Sequence, residues 1–410
     1  CIRDRGEIMG KPLEGVRVLE IAAWTFVPAA GAIMADLGAE VIKVEPPEGD
    51  PQRALRNLLN LDKNGPNPFL EIPNRGKKSI TIDLQHPKGR DVVLDIASKS
   101  DVFLTSYLPK VRTKMGIDLK DIRAVNPNII YVRGTGWGSQ GPYVNVGGYD
   151  AAAAYATSGL GYKFTLPGQP PLGQPAAFFD LAGGNTIAGA ISTALYHREK
   201  TGETSIVDVS LMNVGMWQLA PDIVMAPFAK EQSNTPPDRF EPGNPLTNTY
   251  PTKDGRWLTL VLLQADRFWA ELCKVINREK FIGDERFKDA AVRYQNRRAC
   301  VEMLDDAFKQ YTLAEWQKRF EGFSGVWAPY INFAEVHQHP QIEPNGYLPE
   351  VVGNDGNKFR LVSPPAHFNE VPTAPAGPAP EIGQHTEEIL MDSGLDWDKI
   401  SEYRESGVLG

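Results

Sequence analysis

One aspartate stands in a sequence context that suits covalent chemistry. Asp180 lies in the run FFDLAGG at 178–184, directly before an alanine-rich segment at 185–200 that predicts a helix. An aspartate, with an ordinary pKa of about 3.9, is ionised near neutral pH and can act as a nucleophile without an adjacent base. Gly183 and Gly184 could then offer free N–H groups to a developing oxyanion at the start of the helix. The alternative is that Asp180 only caps the helix, a role in which aspartate is common.

The other reactive side chains form no metal-binding pattern. The six histidines are scattered, and the one close pair, His337 and His339, has no third ligand nearby. The three cysteines, Cys1, Cys273 and Cys300, lack metal-ligand spacing and are odd in number, which favours reduced thiols. The sequence therefore predicts no metal site and offers no rival nucleophile to Asp180.

Composition and charge exclude some broad classes of function. A net charge of −8 argues against general nucleic-acid binding, because affinity for a phosphate backbone needs an excess of clustered Lys and Arg. No apolar run approaches 18 residues, so we predict no membrane span and a cytoplasmic protein. The first residues, CIRDR, do not resemble a natural start, and we expect the native chain to begin at Met9, after residues 1–8.

Strands alternate with helices through the first half of the chain. Apolar runs predict strands at 16–21, 41–45, 79–84, 102–105, 129–133 and 205–210. Helices are predicted between them at 28–37, 87–99, 117–125 and 185–200. Short crossovers of this kind give a parallel sheet, so the predicted fold class is α/β. The turn after the first strand, residues 22–27, carries no G-x-G-x-x-G, which disfavours NAD.

Runs spread over nearly the whole chain resemble the class III CoA-transferases, the carnitine dehydratase and bile-acid-inducible family. They are PLEGVRVLE at 12–20, DLGAEVIKVEP at 36–46, NRGKKSI at 74–80, GWGSQGP at 136–142, GYD at 148–150, the Asp180 run, TGE at 201–203 and GQHT at 383–386. The resemblance implies a Rossmann-like large domain whose parallel sheet is formed by both chain ends, a smaller α+β domain, and an interlocked homodimer. It also implies that CoA moves from an acyl-CoA to a free carboxylic acid through a mixed anhydride and an aspartyl-CoA thioester on Asp180.

The same resemblance assigns the domains. We expect the N-terminal part of the large CoA-binding domain at 9–225, a linker at 226–248, the small domain at 249–335, and a return linker with the C-terminal part of the large domain at 336–410. No cofactor is expected to stay bound, because coenzyme A and acyl-CoA enter as substrates.

The resemblance further suggests the residues that contact substrate. CoA-binding residues are expected at Trp24, Thr25, Phe26, Arg53, Lys77, Ser106, Tyr107 and Lys114, and an acyl site at Tyr149 and Asp150. Many members of the family read Glu-Asn-Phe where this chain has Thr105, Ser106 and Tyr107. Tyr107 can still offer an aromatic face to adenine, whereas Ser106 is a shorter polar contact than asparagine.

Two alternatives remain on the same scaffold. Racemases of the family carry a histidine beside the aspartate that corresponds to Asp150, since removal of an α-proton needs a base with a pKa near 7. This chain has Tyr149 there, and a tyrosine with an ordinary pKa of about 10 is a poor base. The second alternative, a non-catalytic CoA-binding subunit, is disfavoured by the presence of Asp180.

Overall fold

The computed structural model describes residues 10–62, 65–166, 168–228 and 238–410. The chain divides into two compact units, whose described residues fall within 10–228 and 340–410 for the first and within 238–339 for the second. The expected start at Met9 and the residues before it lie outside the described residues, as do residues 229–237 of the predicted linker at 226–248.

Short apolar strands build a six-stranded sheet in the first unit. All its strand pairs are parallel, in the order β3-β2-β1-β4-β5-β6. The strands are β1 (Arg17–Ile21), β2 (Glu40–Glu45), β3 (Lys78–Thr81), β4 (Val102–Thr105), β5 (Ile130–Thr135) and β6 (Ile206–Ser210). Apart from the buried Glu20 and Lys43, the central strands are largely apolar on both faces because helices cover both sides. The predicted α/β class and parallel sheet are confirmed.

Ten α-helices accompany these strands within the residues described up to 228. They are α1 (Phe26–Asp36), α2 (Leu55–Leu58), α3 (Pro68–Asn74), α4 (Gly89–Ser98), α5 (Pro109–Met115), α6 (Leu119–Val125), α7 (Leu160–Lys163), α8 (Phe178–Thr201), α9 (Leu211–Gln218) and α10 (Ala220–Met225). A π-helix at Ala151–Ala156 and 3-10 turns at Pro51–Ala54 and Ala226–Phe228 complete this part.

The two faces of the sheet pack against different helices. On one face, Val18 and Leu104 join a core that includes Val27 of α1 and Ile187 of α8. Because side chains alternate along a strand, the neighbouring residue Leu19 points to the other face and packs with residues of α4 and α6. Helices α1 and α8 therefore lie together on one side of the sheet.

The second unit has its own core. Its three-stranded antiparallel sheet consists of β7 (Thr247–Pro251), β8 (Trp257–Val261) and β9 (Trp327–Pro329). Its helices are α11 (Ala265–Val275), α12 (Ala290–Gln295), α13 (Arg297–Phe308), α14 (Leu313–Arg319) and α15 (Phe333–Val336), with a 3-10 turn at Glu279–Phe281. The core centres on Trp316, which is fully buried and meets the Phe308 ring edge to face.

The C-terminal segment returns to the first unit as helices and a small hairpin. It contains α16 (Ile342–Asn345), the antiparallel pair β10 (Glu350–Val352) and β11 (Lys358–Arg360), α17 (Thr386–Asp392) and α18 (Trp397–Glu405). Leu390 of α17 and Ile400 of α18 join the core that contains Leu19. The expectation that both chain ends form the parallel sheet is corrected: its six strands all precede residue 211, and the C-terminal end covers one face with helices.

Candidate active site

The carboxyl ends of β1 and β4 mark the point where the strand order reverses. The chain runs outward through β2 and β3 on one side of β1 and through β4, β5 and β6 on the other. Ligands of open α/β sheets bind in the crevice at this switch point. The turns that follow β1 and β4 touch there, since the Ala23 N–H donates to Ser106 Oγ at 3.1 Å. Two segments predicted to contact CoA, 24–26 and 106–107, thus lie together at the carboxyl-terminal ends of the central strands.

The residues of the first turn differ in how far they face solvent. Trp24 is 36% exposed and has a φ of 67°, a left-handed conformation that turns the chain sharply before α1. Thr25 is buried, and its Oγ1 accepts a hydrogen bond from Gln52 Nε2 at 2.7 Å. Phe26 is buried in the core. Trp24 therefore supplies the accessible side chain of the turn.

The segment that carries Tyr149 reaches the same turn. The rings of Trp24 and Tyr149 meet edge to face, with their centroids 5.7 Å apart. Tyr149 is 62% exposed. The structure thereby brings a predicted acyl-site residue next to a predicted CoA-binding residue, although 125 positions separate them in the sequence.

Asp180 lies in the first turn of α8. This helix begins at Phe178, earlier than the predicted start at 185, and Asp180 is its third residue. The residue before the helix, Ala177, is left-handed and makes no side-chain capping bond, so Asp180 does not cap the helix. The Asp180 side chain is half-buried. Burial raises the pKa of Asp180 to about 7, and the negative charge of Asp150 adds to this rise.

Asp150 directly precedes the π-helix at Ala151–Ala156 and is its N-cap residue. Its Oδ1 accepts a hydrogen bond from the Ala151 N–H at 2.7 Å. Its Oδ2 is buried and has no hydrogen-bond partner among the described residues. Because the Asp150 charge acts on Asp180, the two predicted acidic residues belong to one electrostatic site.

Gly183 and Gly184 have a different role from the predicted one. Both lie inside α8, where an N–H group bonds to the carbonyl four residues earlier and is not free for an oxyanion. A Cβ atom on Gly183 would overlap the Phe26 ring, and one on Gly184 would stand 2.6 Å from the Ala29 Cβ. The two glycines therefore allow α1 and α8 to approach closely.

Replacement of Gly184 by alanine is expected to lower the free energy of unfolding by about 1–3 kcal/mol, since the added methyl group also meets the backbone of α1. Gly189 on the same helix has open space at its Cβ position. Gly189→Ala should instead stabilise the protein by about 0.5–1 kcal/mol, because alanine is the better helix former. Denaturant unfolding of both variants measures the difference, and an equal response would refute the packing role.

Two of the three predicted cationic CoA contacts are held in ion pairs. Lys77 is fully buried at its side chain, and its Nζ lies 2.7 and 2.8 Å from the two carboxylate oxygens of Glu20. Arg53 forms a two-pronged pair with Glu45, at 2.6 and 2.7 Å. Lys77 therefore cannot reach a phosphate of CoA in this structure, whereas Lys114 is exposed on α5.

The partners of Lys77 form a buried charge cluster that the sequence reasoning missed. Lys43 Nζ lies 3.4 Å from Glu20 and 2.9 Å from Asp50. Glu20 and Lys43 are direct neighbours in the register of β1 and β2. The sequence offered one signal for this cluster: Glu20 and Lys43 carry opposite charges within two strands that are otherwise apolar, and buried charges are normally paired.

The described residues offer neither a metal-binding cluster nor a membrane-spanning helix. Among the residues that the structure describes, no group of three or more His, Cys, Asp or Glu is placed to hold a metal ion. Within those residues, no helix is long and apolar enough to cross a membrane.

Comparison with known proteins identifies related chains of similar length. The family model described as CoA-transferase family III matches residues 13–386. The chain is 30% identical to (R)-2-hydroxy-4-methylpentanoate CoA-transferase of Clostridioides difficile, covering 97% of this chain and 99% of that protein. It is 32% identical to succinyl-CoA:glutarate CoA-transferase of Mus musculus, covering 93% and 86% respectively.

A solved structure has the same fold. The crystal structure of Rv3272 from M. tuberculosis in its orthorhombic form superposes with a TM-score of 0.79 at 28% sequence identity. The superposition covers 92% of this chain and 98% of that chain.

Proposed function

The chain belongs to CoA-transferase family III and is an enzyme of that class, and from this premise we propose that Asp180 is the nucleophile that carries CoA between two acids. The observation that carries the proposal is the half-buried carboxylate of Asp180, on which the charge of Asp150 acts. Tyr149, the residue before Asp150, contacts Trp24 in the turn at the switch point. A half-buried carboxylate suits transfer between acids, because partial exclusion of water limits hydrolysis of the activated bond.

The proposed reaction exchanges bonds in two symmetrical halves. An Asp180 oxygen attacks the thioester carbonyl carbon, the C–S bond breaks, and CoA leaves as a thiolate, which leaves a mixed anhydride between Asp180 and the donor acid. The thiolate then attacks the side-chain carbonyl carbon of Asp180 and releases the donor acid as a carboxylate. An aspartyl-CoA thioester remains. The acceptor carboxylate repeats these steps in reverse order.

The start of α8 offers donors for the oxyanion. The first bond of the regular helical pattern is donated by the Leu181 N–H to the Ala177 carbonyl at 3.0 Å. The N–H groups of Phe179 and Asp180 precede it and have no partner four residues back within the helix. They replace Gly183 and Gly184 in the proposed mechanism, since the positive end of the helix dipole also favours negative charge there.

The CoA contacts are proposed for the exposed and half-buried residues at the switch point. Trp24, Ser106 and Tyr107 line the two turns, and Lys114 supplies an exposed positive charge on α5. Arg53 and Lys77 are proposed to stabilise the fold around this site and not to bind CoA directly, because each is paired with a carboxylate.

A homodimer is proposed on the basis of exposed apolar side chains. Trp217 is 77% exposed and Phe228 is 76% exposed, and Tyr162, Val224 and Met225 are also open to solvent. Apolar side chains clustered in this way mark interaction surfaces in soluble proteins. Light scattering of the purified protein measures the assembly, and a monomer at micromolar concentration would contradict it.

The function is tested by incubating the protein with acyl-CoA donors and a panel of free carboxylic acids, with mass-spectrometric detection of new thioesters. The panel includes 2-hydroxy acids and dicarboxylic acids, the classes named for the two relatives. New thioester supports the transferase. Exchange of the α-hydrogen for deuterium without movement of CoA would support the racemase alternative instead.

The pH dependence follows from the raised pKa of Asp180. With a pKa of about 7, roughly nine-tenths of Asp180 is ionised at pH 8 and one-tenth at pH 6. We expect kcat/KM for the donor thioester to fall about tenfold between pH 8 and pH 6. Asp150→Asn removes the charge that acts on Asp180, and the midpoint of its profile should lie at lower pH. A flat wild-type profile down to pH 5 would count against an Asp180 nucleophile with this environment.

A further inference from the structure

Asp150 carries a buried carboxylate oxygen that the described chain leaves unsatisfied. The residue is only 7% exposed, and its Oδ1 is already occupied by the Ala151 N–H. Its Oδ2 lacks any hydrogen-bond partner among the described residues. Such oxygens are rare in native proteins, because burial removes them from water without a compensating bond. Something outside the described chain must satisfy Oδ2.

The position of Asp150 points to the substrate as the source of that bond. Its neighbour in the sequence, Tyr149, touches Trp24 at the switch point. Its negative charge acts on Asp180, the proposed nucleophile. The free oxygen thus belongs to the neighbourhood in which a thioester carbonyl must lie if Asp180 is to attack it.

We propose that Asp150 Oδ2 accepts a hydrogen bond from a hydroxyl group on the acyl chain, and that the enzyme therefore selects hydroxylated monocarboxylic acids. The proposal rests on the proposed function and specifies its substrate class. A carboxylate oxygen is an acceptor, so its partner must be a donor. A hydroxyl near the carbonyl carbon is a neutral donor that an acyl group can bring to this position.

The charges of the site also act against one competing class of acid. A dicarboxylic acyl group would bring a second negative charge close to Asp150 and Asp180. Like charges in a partly desolvated site repel strongly. A hydroxy acid with one carboxyl group satisfies Oδ2 without that repulsion, because its only carboxyl group is consumed in the thioester.

The test compares acids that differ only by the hydroxyl group. The pairs are (R)- or (S)-lactate against propionate, and (R)- or (S)-3-hydroxybutyrate against butyrate, each as acceptor with one common acyl-CoA donor. The quantity measured is the ratio of kcat/KM for the hydroxylated acid to that for its partner, which cancels effects common to both. We expect at least one hydroxy acid to be preferred about tenfold or more by the wild-type enzyme.

Asp150→Ser is the variant that isolates Oδ2. Serine keeps an oxygen that can cap the π-helix but lacks the second oxygen. We expect the ratio for the preferred acid to fall about tenfold, towards one. The matched control is Asp396→Ser, which makes the same change at the N-cap of α18 and should leave the ratio at its wild-type value. Thermal unfolding of both variants shows whether they fold.

The outcomes separate this proposal from the proposed function. A selective fall of the ratio in Asp150→Ser supports the hydroxyl contact. An unchanged ratio, or an equal loss for both members of a pair, overturns it even where transfer itself proceeds, and would assign Oδ2 to water, to a group of a partner subunit or to the CoA moiety. Absence of any transfer by the wild-type protein, over the whole acid panel, would instead refute the proposed function.

Discussion

Replacement of Asp180 by alanine is expected to lower the transferase rate by more than about a thousandfold. The variant lacks the carboxylate that forms both proposed covalent intermediates, and no binding interaction can substitute for a missing nucleophile. The first turn of α8 has no capping bond that depends on this side chain, so the helix should persist. Rates are measured by appearance of the new thioester, and CoA binding by calorimetry.

The control for this variant is Asp398→Ala. Asp398 also lies in the first turn of a helix, α18, and its side chain is exposed. The same substitution there should leave the rate within about twofold, because surface changes away from a site have small effects. Hydroxylamine trapping adds a chemical test: wild-type protein incubated with acyl-CoA should yield a modified peptide that contains Asp180. Substantial transfer by Asp180→Ala would remove this residue from the mechanism.

Replacement of Lys77 by methionine is expected to lower the free energy of unfolding by about 3–5 kcal/mol. The Lys77 ammonium contacts both oxygens of Glu20 and also donates to the Pro28 carbonyl at 2.9 Å. Without it, Glu20 keeps only the longer contact with Lys43, at 3.4 Å, while the carboxylate remains fully buried. A charge left partly unpaired in the interior destabilises the folded state far more than the loss of a surface pair.

Lys114→Met provides the matched comparison for Lys77→Met. Lys114 is exposed, so its loss should change the stability by no more than about 0.5 kcal/mol and should weaken CoA binding if it faces a phosphate. The double variant Glu20→Gln/Lys77→Met should recover part of the lost stability, because the unpaired charge is removed with its partner. Denaturant unfolding and CoA titration of the three variants give the pattern. If Lys77→Met weakened CoA binding without loss of stability, the structural role of Lys77 would be wrong.

The strands of the first unit were predictable because they are short, apolar and bounded by clear turns. The predicted strand at 16–21 became Arg17–Ile21, and that at 102–105 became Val102–Thr105. The parallel arrangement followed from the alternation with helices. These features depend on local sequence patterns, which can be recognised without knowing which distant residues are in contact.

The start of α8 could not be predicted in the same way. Glycine is a poor helix former, so Gly183 and Gly184 suggested a loop before the helix. The reason for glycine at these two positions is clear only from the packing of α1 against α8, since a side chain at either position would overlap α1. Tertiary packing here overrides local helix propensity. The helix therefore begins before the two glycines, and its first turn includes Asp180.

The burial of Lys77 was also outside the reach of the sequence reasoning. The family resemblance suggested Lys77 as a CoA contact, and lysine side chains are normally exposed to solvent. The decisive fact is that β2 and β3 bring it next to Glu20, which is 57 residues away in the sequence. Long-range pairing of this kind depends on strand order, which no local pattern contains.

The close approach of α1 and α8 has a consequence for how the enzyme can move. Helix α1 starts at the end of the Trp24 turn, and α8 starts two residues before Asp180, so the helix pair connects the two parts of the site as a rigid body. Interdigitated helices in a dense core resist sliding. We therefore expect any opening that admits an acyl-CoA to come from the loops around Tyr149 and Ser106, while the spacing between the proposed nucleophile Asp180 and the Trp24 turn is set before substrate arrives. Preorganisation of this kind reduces the entropy lost on reaching the reactive geometry.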